Sequence, residues 1–447
     1  MILLVLAVAL GAYYYLVEAD RDPLADDVRE RVFAGVEPGS IEEVEVRAES
    51  GEVTRARKTD GDWAIVEPAP IDADVAAVSG LATTLETLEI QRTVDENPAE
   101  LGPFGLETPR FSVAFRAAGD TAMRRLEVGD RTPTGGDLYA RVEGQPALVL
   151  IAGYLEDSLN KSTFDLRDKT VLHIARDVDR LRLAGPSATA LEAVRDENDW
   201  RLAAPVAARA DFAAIDGLIR RILEAEMRSI AADDTEDLEQ YGLATPRAVA
   251  TLGTGSAQAA LEIGAAADDA TVYARDTSRP MVFTLDTAVL DELSPEVDDL
   301  RMKDVFQFRS FNALGLVVTL DGETYTFAKE APAPAEGAEQ TASQAPVWTL
   351  TAPERREVDQ ATMSGLLTSL SNLRAESFAD RPLASGDEVV VTARFGDDAA
   401  PSQEALTFRR SGDTVHAIVP GEPGAAVVPA TDFDAALVVI RQLIEGQ

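Results

Sequence analysis

The stretch Trp63-Ala-Ile-Val-Glu-Pro68 decides the fold, because the chain contains it three times. It returns as Trp200-Arg-Leu-Ala-Ala-Pro205 and as Trp348-Thr-Leu-Thr-Ala-Pro353, and these are the only three tryptophans. Six residues after each proline stands an aspartate: Asp74, Asp211 and Asp359. Because the copies lie about 140 residues apart, the repeating unit is a small domain and not a solenoid turn.

Length and charge limit the function classes. The chain has 447 residues, which suggests roughly three domains at about 150 residues each. Its formal charge of −37 argues against nucleic-acid binding, which needs clustered Lys and Arg, and against basic-patch binding to anionic lipid. Solubility or a salty medium would explain the acidity equally well. Cysteine is absent, which excludes disulfides, a thiol nucleophile and thiolate metal sites.

The N-terminus carries an uncharged apolar run, Ile2 to Val17. As a helix it would span about 24 Å, somewhat less than the roughly 30 Å hydrocarbon core. It is either a single transmembrane anchor or a cleaved signal peptide. The three tyrosines at 13–15 suit a membrane interface and are too bulky for a cleavage site, so they favour the anchor. We predict a transmembrane anchor over 1–20 and a stalk over 21–40.

Each copy is expected to be an α+β domain with one antiparallel sheet and one main amphipathic helix. Ile41–Val46 and Glu52–Lys58 have strand composition, Asp60-Gly61 is a hairpin turn, and Pro68 ends the next strand. Asp74 is placed to cap a helix rather than to bind a ligand. That helix carries its apolar residues at helical spacing: Val75, Val78, Leu81, Leu85 and Leu88.

The same helical spacing follows the other two aspartates. After Asp211 the apolar residues are Phe212, Ile215, Leu218, Ile219, Ile222 and Leu223. After Asp359 they are Met363, Leu366, Leu367, Leu370 and Leu373. We therefore predict repeat domains over 41–172, 173–306 and 307–447.

Further motifs recur in the first two copies. Phe104-Gly-Leu-Glu-Thr-Pro109 matches Tyr241-Gly-Leu-Ala-Thr-Pro246, where glycine fits a left-handed turn. Strand motifs follow in pairs: Leu126–Gly129 with Leu261–Gly264, Tyr139–Arg141 with Tyr273–Arg275. Leu166-Arg-Asp-Lys169 and Leu300-Arg-Met-Lys303 are expected to close each copy.

The third copy is degenerate. Asp380–Asp387 stands where the Gly-Leu turn should be. An Ala-, Pro- and Glu-rich insertion over 331–345 cannot bury a core and is predicted as a flexible loop. A final amphipathic helix is expected over Ala435–Ile444.

Catalytic signals are sparse. The two histidines, His173 and His416, are expected to be structural or exposed, and no phosphate-binding glycine motif or EF-hand pattern occurs. Acidic clusters such as 233–237 are interpreted as solvated surface. We therefore assign no catalytic, cofactor-binding or metal-binding residues and predict a non-enzyme. An acid/base hydrolase would need carboxylates converging in a deep pocket.

Together the apolar span with Tyr-Tyr-Tyr and the repeated Asp-Trp-x-x-x-x-Pro, Gly-Leu-x-x-Pro, Leu-Glu-Val/Ile-Gly and Tyr-Ala-Arg motifs resemble a bacterial envelope family. That family is catalogued as domain of unknown function 4340. The resemblance implies an inner-membrane, single-pass protein with its bulk in the periplasm. It also implies an association with gliding-motility-type ABC-2 transporter permeases and their auxiliary subunits.

The leading hypothesis is a non-enzymatic extracytoplasmic accessory subunit of an ABC-type envelope transport complex. It would dock on an ABC-2 type permease and an auxiliary envelope protein, with no nucleic-acid partner. The alternative is an envelope scaffold that binds wall glycan or peptide, which aromatic residues exposed in a groove would favour. The three tryptophans are expected in the core and not at a contact.

Overall fold

A computed structural model describes residues 29–174, 177–185, 190–330 and 346–446. The predicted anchor over 1–20, the first part of the stalk and the insertion over 331–345 lie outside the described residues. The chain divides into two compact units, with the boundary after Lys169. The first unit contains one sheet and the second unit contains two.

The first sheet is antiparallel and has nine strands. They are β1 (Ile41–Arg47), β2 (Val53–Thr59), β3 (Asp62–Glu67), β4 (Ile71–Asp72), β5 (Arg92–Asp95), β6 (Phe111–Ala117), β7 (Arg124–Arg131), β8 (Asp137–Val142) and β9 (Leu148–Ala152). Across the sheet the order is β4-β3-β2-β1-β6-β7-β8-β9-β5. The predicted hairpin turn is confirmed, because Asp60 and Gly61 both have positive φ between β2 and β3.

The other two sheets repeat this order strand for strand. The second consists of β10 (Arg180–Ala184), β11 (Leu191–Asp196), β12 (Asp199–Ala204), β13 (Ala208–Arg209), β14 (Ser229–Ala232), β15 (Ala248–Thr254), β16 (Ala257–Ala266), β17 (Thr271–Asp276) and β18 (Val282–Asp286). The third consists of β19 (Ala313–Leu320), β20 (Glu323–Glu330), β21 (Val347–Ala352), β22 (Arg356–Glu357), β23 (Ser377–Ala379), β24 (Asp387–Asp397), β25 (Ala400–Ser411), β26 (Thr414–Ile418) and β27 (Ala425–Val428). The predicted repetition of sheet units is confirmed.

Helices accompany each sheet on one face. The described α-helices are α1 (Val75–Thr87), α2 (Glu156–Leu159), α3 (Thr163–Leu166), α4 (Phe212–Leu223), α5 (Val289–Glu292), α6 (Val297–Leu300), α7 (Gln360–Ser371) and α8 (Ala430–Glu445). Among the described residues, no helix is long and apolar enough to cross a membrane.

The predicted α+β class is wrong, because the chain is mostly β, with 43% strand and 20% helix. The sequence reading missed strands that lack alternation. All five residues of β9 are buried, so polar residues do not mark every second position. β4 has only two residues, which is too short to show any period. A single N-terminal transmembrane helix is likewise not shown, because that segment lies outside the described residues.

The three helices that follow the aspartate caps begin where the sequence predicts. The carboxylate of each predicted cap accepts a backbone N–H three residues on: Asp74 from Ala77 at 2.9 Å, Asp211 from Ala214 at 3.0 Å, and Asp359 from Thr362 at 2.7 Å. The predicted apolar faces pack in the cores apart from Leu223, which is half-buried, and two exposed residues. Val75 and Phe212, each directly after its cap, are 47% and 41% exposed, because the first helical position lies on the solvent side.

Part of the segment predicted as a stalk belongs to the first core. Val32, Phe33 and Val36 are buried, and the Phe33 ring packs edge-on against Phe115 at 4.8 Å. The backbone of Val32 bonds to Leu88 at the end of α1. The described residues 29–40 therefore form the entry segment of the first repeat.

The Leu-Arg motifs close the repeats, as the sequence predicts. Asp74 donates its N–H to the Leu166 carbonyl at 2.9 Å, and Asp211 does the same to Leu300 at 2.8 Å. These bonds join each closing segment to the start of the main helix. Each closing segment therefore lies beside the edge strand that follows the Trp-x-x-x-x-Pro strand, β4 in the first sheet and β13 in the second.

The three tryptophans are core residues. Trp63, Trp200 and Trp348 are buried, and the proline of each stretch follows a cis peptide bond. Their repeated spacing thus reports shared packing in three copies of one fold.

Candidate functional site

The repeated motifs of the first copy meet at one place on the outer face of the sheet, the face away from the helices. Gly105 has φ +67 and ends a short 3-10 turn. This turn presses the Phe104 carbonyl onto β7 so closely that a Cβ on Gly129 would lie 2.1 Å from that oxygen. The Phe104 ring contacts Tyr139 with centroids 4.9 Å apart. The Gly105 turn, Gly129 and Tyr139 therefore form one packing unit, which we call the staple.

The second copy has the same staple. Gly242 has φ +67, and a Cβ on Gly264 would lie 2.2 Å from the Tyr241 carbonyl. The Tyr241 and Tyr273 rings lie 5.0 Å apart, edge to face. The strand glycine, the turn and the strand tyrosine are thus one packing unit, which explains why the three motifs occur together.

The third copy replaces all three parts. Strand pairing places Arg409 at the position of Gly129 and His416 at the position of Tyr139. Leu383, in the segment that replaces the turn, donates its N–H to His416 Nδ1 at 3.1 Å and accepts at its carbonyl from Arg409 Nη1 at 2.5 Å. A hydrogen-bonded contact thus stands where the other copies use close packing.

The rest of the first sheet's outer face is a lattice of ion pairs. Glu43 accepts from Arg57 at 3.0 Å and from Arg116 at 2.6 Å. Glu45 accepts from Arg55 at 2.5 Å and from Arg125 at 2.9 Å. A fifth pair, Arg141 with Glu127 at 2.5 Å, extends the pattern onto β8. Charges of opposite sign therefore neighbour each other across five strands, from β2 to β8.

The two central carboxylates are buried at the base of this lattice. Glu43 is 5% and Glu45 is 7% exposed. Burial alone would raise the pKa of each carboxyl. The hydrogen bonds from Arg116 and Arg57 outweigh it and hold the pKa of Glu43 below its ordinary value, and Arg55 with Arg125 lowers the pKa of Glu45 in the same way. Both groups are therefore ionised and paired at neutral pH.

The third sheet has almost none of these charges. Its strand pairing matches that of the first sheet, so the positions can be compared one by one. Gly315 and Val317 replace Glu43 and Glu45. The arginines and the remaining glutamate are replaced by uncharged residues: Thr326 for Arg55, Ala328 for Arg57, Ala405 for Arg125, Thr407 for Glu127 and Ile418 for Arg141. Of the lattice, only Arg116 keeps a charged counterpart, Arg394.

We call this patch the uncharged face, consisting of Val317, Thr326, Val390, Thr392, Ala405, Thr407 and Ile418. All seven side chains are half-buried by their neighbours on the sheet. The second sheet is intermediate, since it keeps the Glu262–Arg275 pair at 2.7 Å but has Ala260 where the first sheet has Arg125. Sequence reasoning missed the uncharged face, although aligning the outward positions of the three copies would have shown it.

The second unit also contains a cleft of about 620 Å³ beside β12 and β13. It is lined by the acidic β11–β12 turn, by Arg201 and Arg209, and by the segment that leads into the third repeat. Arg209 is held by Glu422 at 2.6 Å, and Asp304 pairs with Arg309 at 2.9 Å. Arg301 stacks on the Phe378 ring at 3.6 Å nearby.

Other residues that the sequence singles out are dispersed. His173 is exposed and His416 is buried in the third sheet, while the acidic cluster over 233–237 lies mostly at the surface. Within the described residues, no group of three or more His, Asp or Glu side chains is arranged to hold a metal ion.

Comparison with protein families agrees with the repeated motifs. The family model described as "Domain of unknown function (DUF4340)" matches residues 63–199 and 200–391, which is most of the chain. The chain belongs to the DUF4340 family. No curated protein matches it.

The two family matches begin at Trp63 and at Trp200, inside β3 and β12. The DUF4340 match therefore starts within one sheet and runs into the next. Each family match starts after the first two strands of a sheet, which are β1 and β2 in the first sheet and β10 and β11 in the second.

Proposed function

We propose that this DUF4340 protein is a non-enzymatic accessory subunit that docks, through the uncharged face of its third sheet, on an extracytoplasmic protein surface of an ABC-type envelope transporter. The single observation that supports it most is the loss of the charge lattice from that face while the backbone register is kept. Cores of protein interfaces are depleted in charged residues, as this face is.

The first sheet is poorly suited to docking. Covering its outer face would remove water from Glu43, Glu45 and the arginines around them, and the desolvation of such pairs offsets much of their attraction. The uncharged face contains Thr and Val side chains, whose burial against a partner carries no such cost. The proposed contact is therefore confined to the third repeat.

Attachment to the membrane is part of the same proposal. The apolar run over 2–17 would fix the protein to the inner membrane, with its bulk in the periplasm. The resemblance to envelope proteins beside gliding-motility-type ABC-2 transporters makes the permease and its auxiliary envelope protein the expected partners. The charge of −37 disfavours nucleic acid or anionic lipid in that role.

The test transfers the charge lattice from the first sheet to the third. The variant is Val317→Glu/Thr326→Arg/Ala405→Arg. It gives the third sheet the residue types that the first sheet has at the equivalent positions, which are Glu45, Arg55 and Arg125. This variant should fold, because the first sheet accommodates the same three side chains. The tagged full-length protein, purified from its own membranes in mild detergent, should recover the permease and its ATPase at least about tenfold less than wild type does.

The matched control is the reverse exchange, Glu45→Val/Arg55→Thr/Arg125→Ala, which should leave partner recovery unchanged if it folds. Equal recovery of the transporter by wild type and by the third-sheet variant would contradict the proposed contact. Circular dichroism of both variants separates loss of docking from loss of fold.

The second candidate is a scaffold that binds wall glycan or peptide, and the cleft beside β12 favours it. Its volume of about 620 Å³ falls within the range of small-ligand sites. Arg201 supplies a donor and the β11–β12 turn supplies carboxylate acceptors. Calorimetric titration with defined wall fragments, using Arg201→Ala as the comparison, would detect such binding.

A further inference from the structure

The segment over 380–387 is bound to the outer face of the third sheet through Leu383. Its N–H donates to His416 Nδ1 at 3.1 Å, and its carbonyl accepts from Arg409 Nη1 at 2.5 Å. The last residue of the segment, Asp387, begins β24 and pairs with Arg410 of β25. Within 380–386, these two are the hydrogen bonds found in the described residues that join the segment to β25 and β26. In the first two copies the corresponding turn is held by glycine contacts and an aromatic pair, which do not change with pH.

The His416 contact depends on the charge of the imidazole. Nδ1 can accept a hydrogen bond only when it carries no proton, so the contact requires the neutral ring. His416 is 7% exposed, and its burial lowers the pKa of the imidazole below its ordinary value of 6.5. At neutral pH the ring is therefore an acceptor.

The charged groups around His416 are few. Arg409 lies opposite it on β25 and donates to Glu388 on β24 at 2.7 Å. The partner strand β27 is uncharged, and the segment itself carries Asp380, Arg381 and Asp387 at exposed positions. No carboxylate is found within hydrogen-bonding distance of the His416 ring among the described residues, so a protonated ring would have no acidic partner there.

We propose that His416 is a pH-sensitive latch, whose protonation releases the segment over 380–387 from the rim of the uncharged face. The consequence for docking rests on the proposed function; the latch itself does not. Because the folded form favours the neutral ring, the latch is held above about pH 6.5 and is lost as the pH falls through the lower folded pKa. A loose segment and a new positive charge at the rim then oppose the docking of an uncharged partner surface.

Hydrogen exchange measured by mass spectrometry on the full-length protein in mild detergent tests the latch without any partner. Exchange times at pH 7.5 and pH 5.0 are corrected for intrinsic rates. We expect peptides covering 380–388 to exchange about fivefold faster at pH 5.0, since the loss of one hydrogen bond of about 1 kcal/mol corresponds to that factor. Peptides covering 102–107, in the equivalent turn of the first repeat, serve as the internal control and should not change.

In the variant His416→Phe the ring has no nitrogen that could accept the Leu383 N–H. The segment over 380–387 should therefore exchange rapidly at both pH values. Equal protection of the wild-type segment at the two pH values, or a pH response that persists in the variant, would overturn the latch. An acid-released segment in a protein that recovers no transporter at any pH would support the latch and contradict the docking function.

Discussion

The first and third sheets share strand order and register, yet their outer faces differ in almost every side chain. One presents glutamates and arginines in alternation, and the other presents threonine, valine and alanine. Their inner faces are alike, since both pack large apolar side chains against a capped helix. The comparison shows that the buried face maintains the fold, while the outer face is free to differ between copies.

The largest effect is expected at the staple, which only the first two copies have. In Gly129→Ala, the new Cβ would meet the Phe104 carbonyl at 2.1 Å, so the backbone must shift. We expect the first repeat to lose about 3 kcal/mol of stability against unfolding, because overpacking a closed contact forces strain. The stability loss is measured by titrating the protein with denaturant and following hydrogen exchange in β6, β7 and β8.

Arg409→Ala, at the same position in the third copy, is the matched control. It removes the hydrogen bond to Leu383 and the ion pair with the exposed Glu388 and introduces no clash, so the loss should be about 1 kcal/mol. If the two substitutions cost the same, the two copies would not differ in how they hold this segment.

The second prediction concerns the charge lattice. Glu45→Gln removes the buried carboxylate that pairs with Arg55 and Arg125, and we expect a loss of about 2 kcal/mol in the stability of the first repeat. Val317→Thr, at the equivalent position on the uncharged face, should cost less than about 1 kcal/mol. Urea unfolding of the two variants compares them directly, and a larger loss for Val317→Thr would show that the lattice is not stabilising.

The third prediction addresses what the two copies share. Asp74→Ala and Asp359→Ala each remove a helix cap and should each destabilise the respective repeat by about 1 kcal/mol. Asn at either position should restore most of the loss, because its amide oxygen can accept the same backbone N–H. Unequal losses in thermal unfolding would mean that the copies differ on the inner side as well.

The smallest effect is expected on mild acidification from pH 5 to pH 4. The folded pKa values of Glu43 and Glu45 lie below the ordinary 4.5, so their stabilisation is complete above that value and decreases as the pH falls through the folded pKa. Hydrogen exchange in β1 and β2 should therefore accelerate, after correction for intrinsic rates, while β19 and β20 change less. The variant Glu43→Gln/Glu45→Gln should remove the difference between the two regions, and its persistence would assign the acid response to other groups.

Much of the inner architecture could be predicted from sequence. The three aspartate caps and the Asp60-Gly61 turn follow from local rules and depend on neighbours within a few residues, and the structure confirms them. The closing Leu-Arg motif and the buried tryptophans make contacts far along the chain, and their signal is their repetition in successive copies. Both kinds of feature can be inferred without knowing the rest of the fold.

What could not be predicted depends on distant contacts. Arg92–Asp95 has four residues, most of them exposed, so the sequence shows no apolar alternation there. The segment becomes the strand β5 because it pairs with β9, more than fifty residues later in the chain. In the sequence, Val32 and Phe33 directly follow the charged residues 29–31, so the entry segment does not look like core. It joins the core because it contacts the end of α1 and Phe115 of β6. The candidate docking face consists of one or two residues from each of β19, β20, β24, β25 and β26, so it becomes visible only when the outward positions of the copies are aligned strand by strand.

The Gly129 contact constrains how such copies diverge over evolutionary time. With a carbonyl oxygen occupying the space where a side chain would begin, no residue larger than glycine can enter unless the turn shifts. In the third copy the turn, the glycine and the tyrosine have all been exchanged, for Leu383, Arg409 and His416. Whichever arrangement is older, these exchanges cannot have occurred in arbitrary order, because the turn must be withdrawn whenever an arginine stands on the strand. A pathway of descent between the two arrangements therefore passes through a form with glycine on the strand and no turn above it.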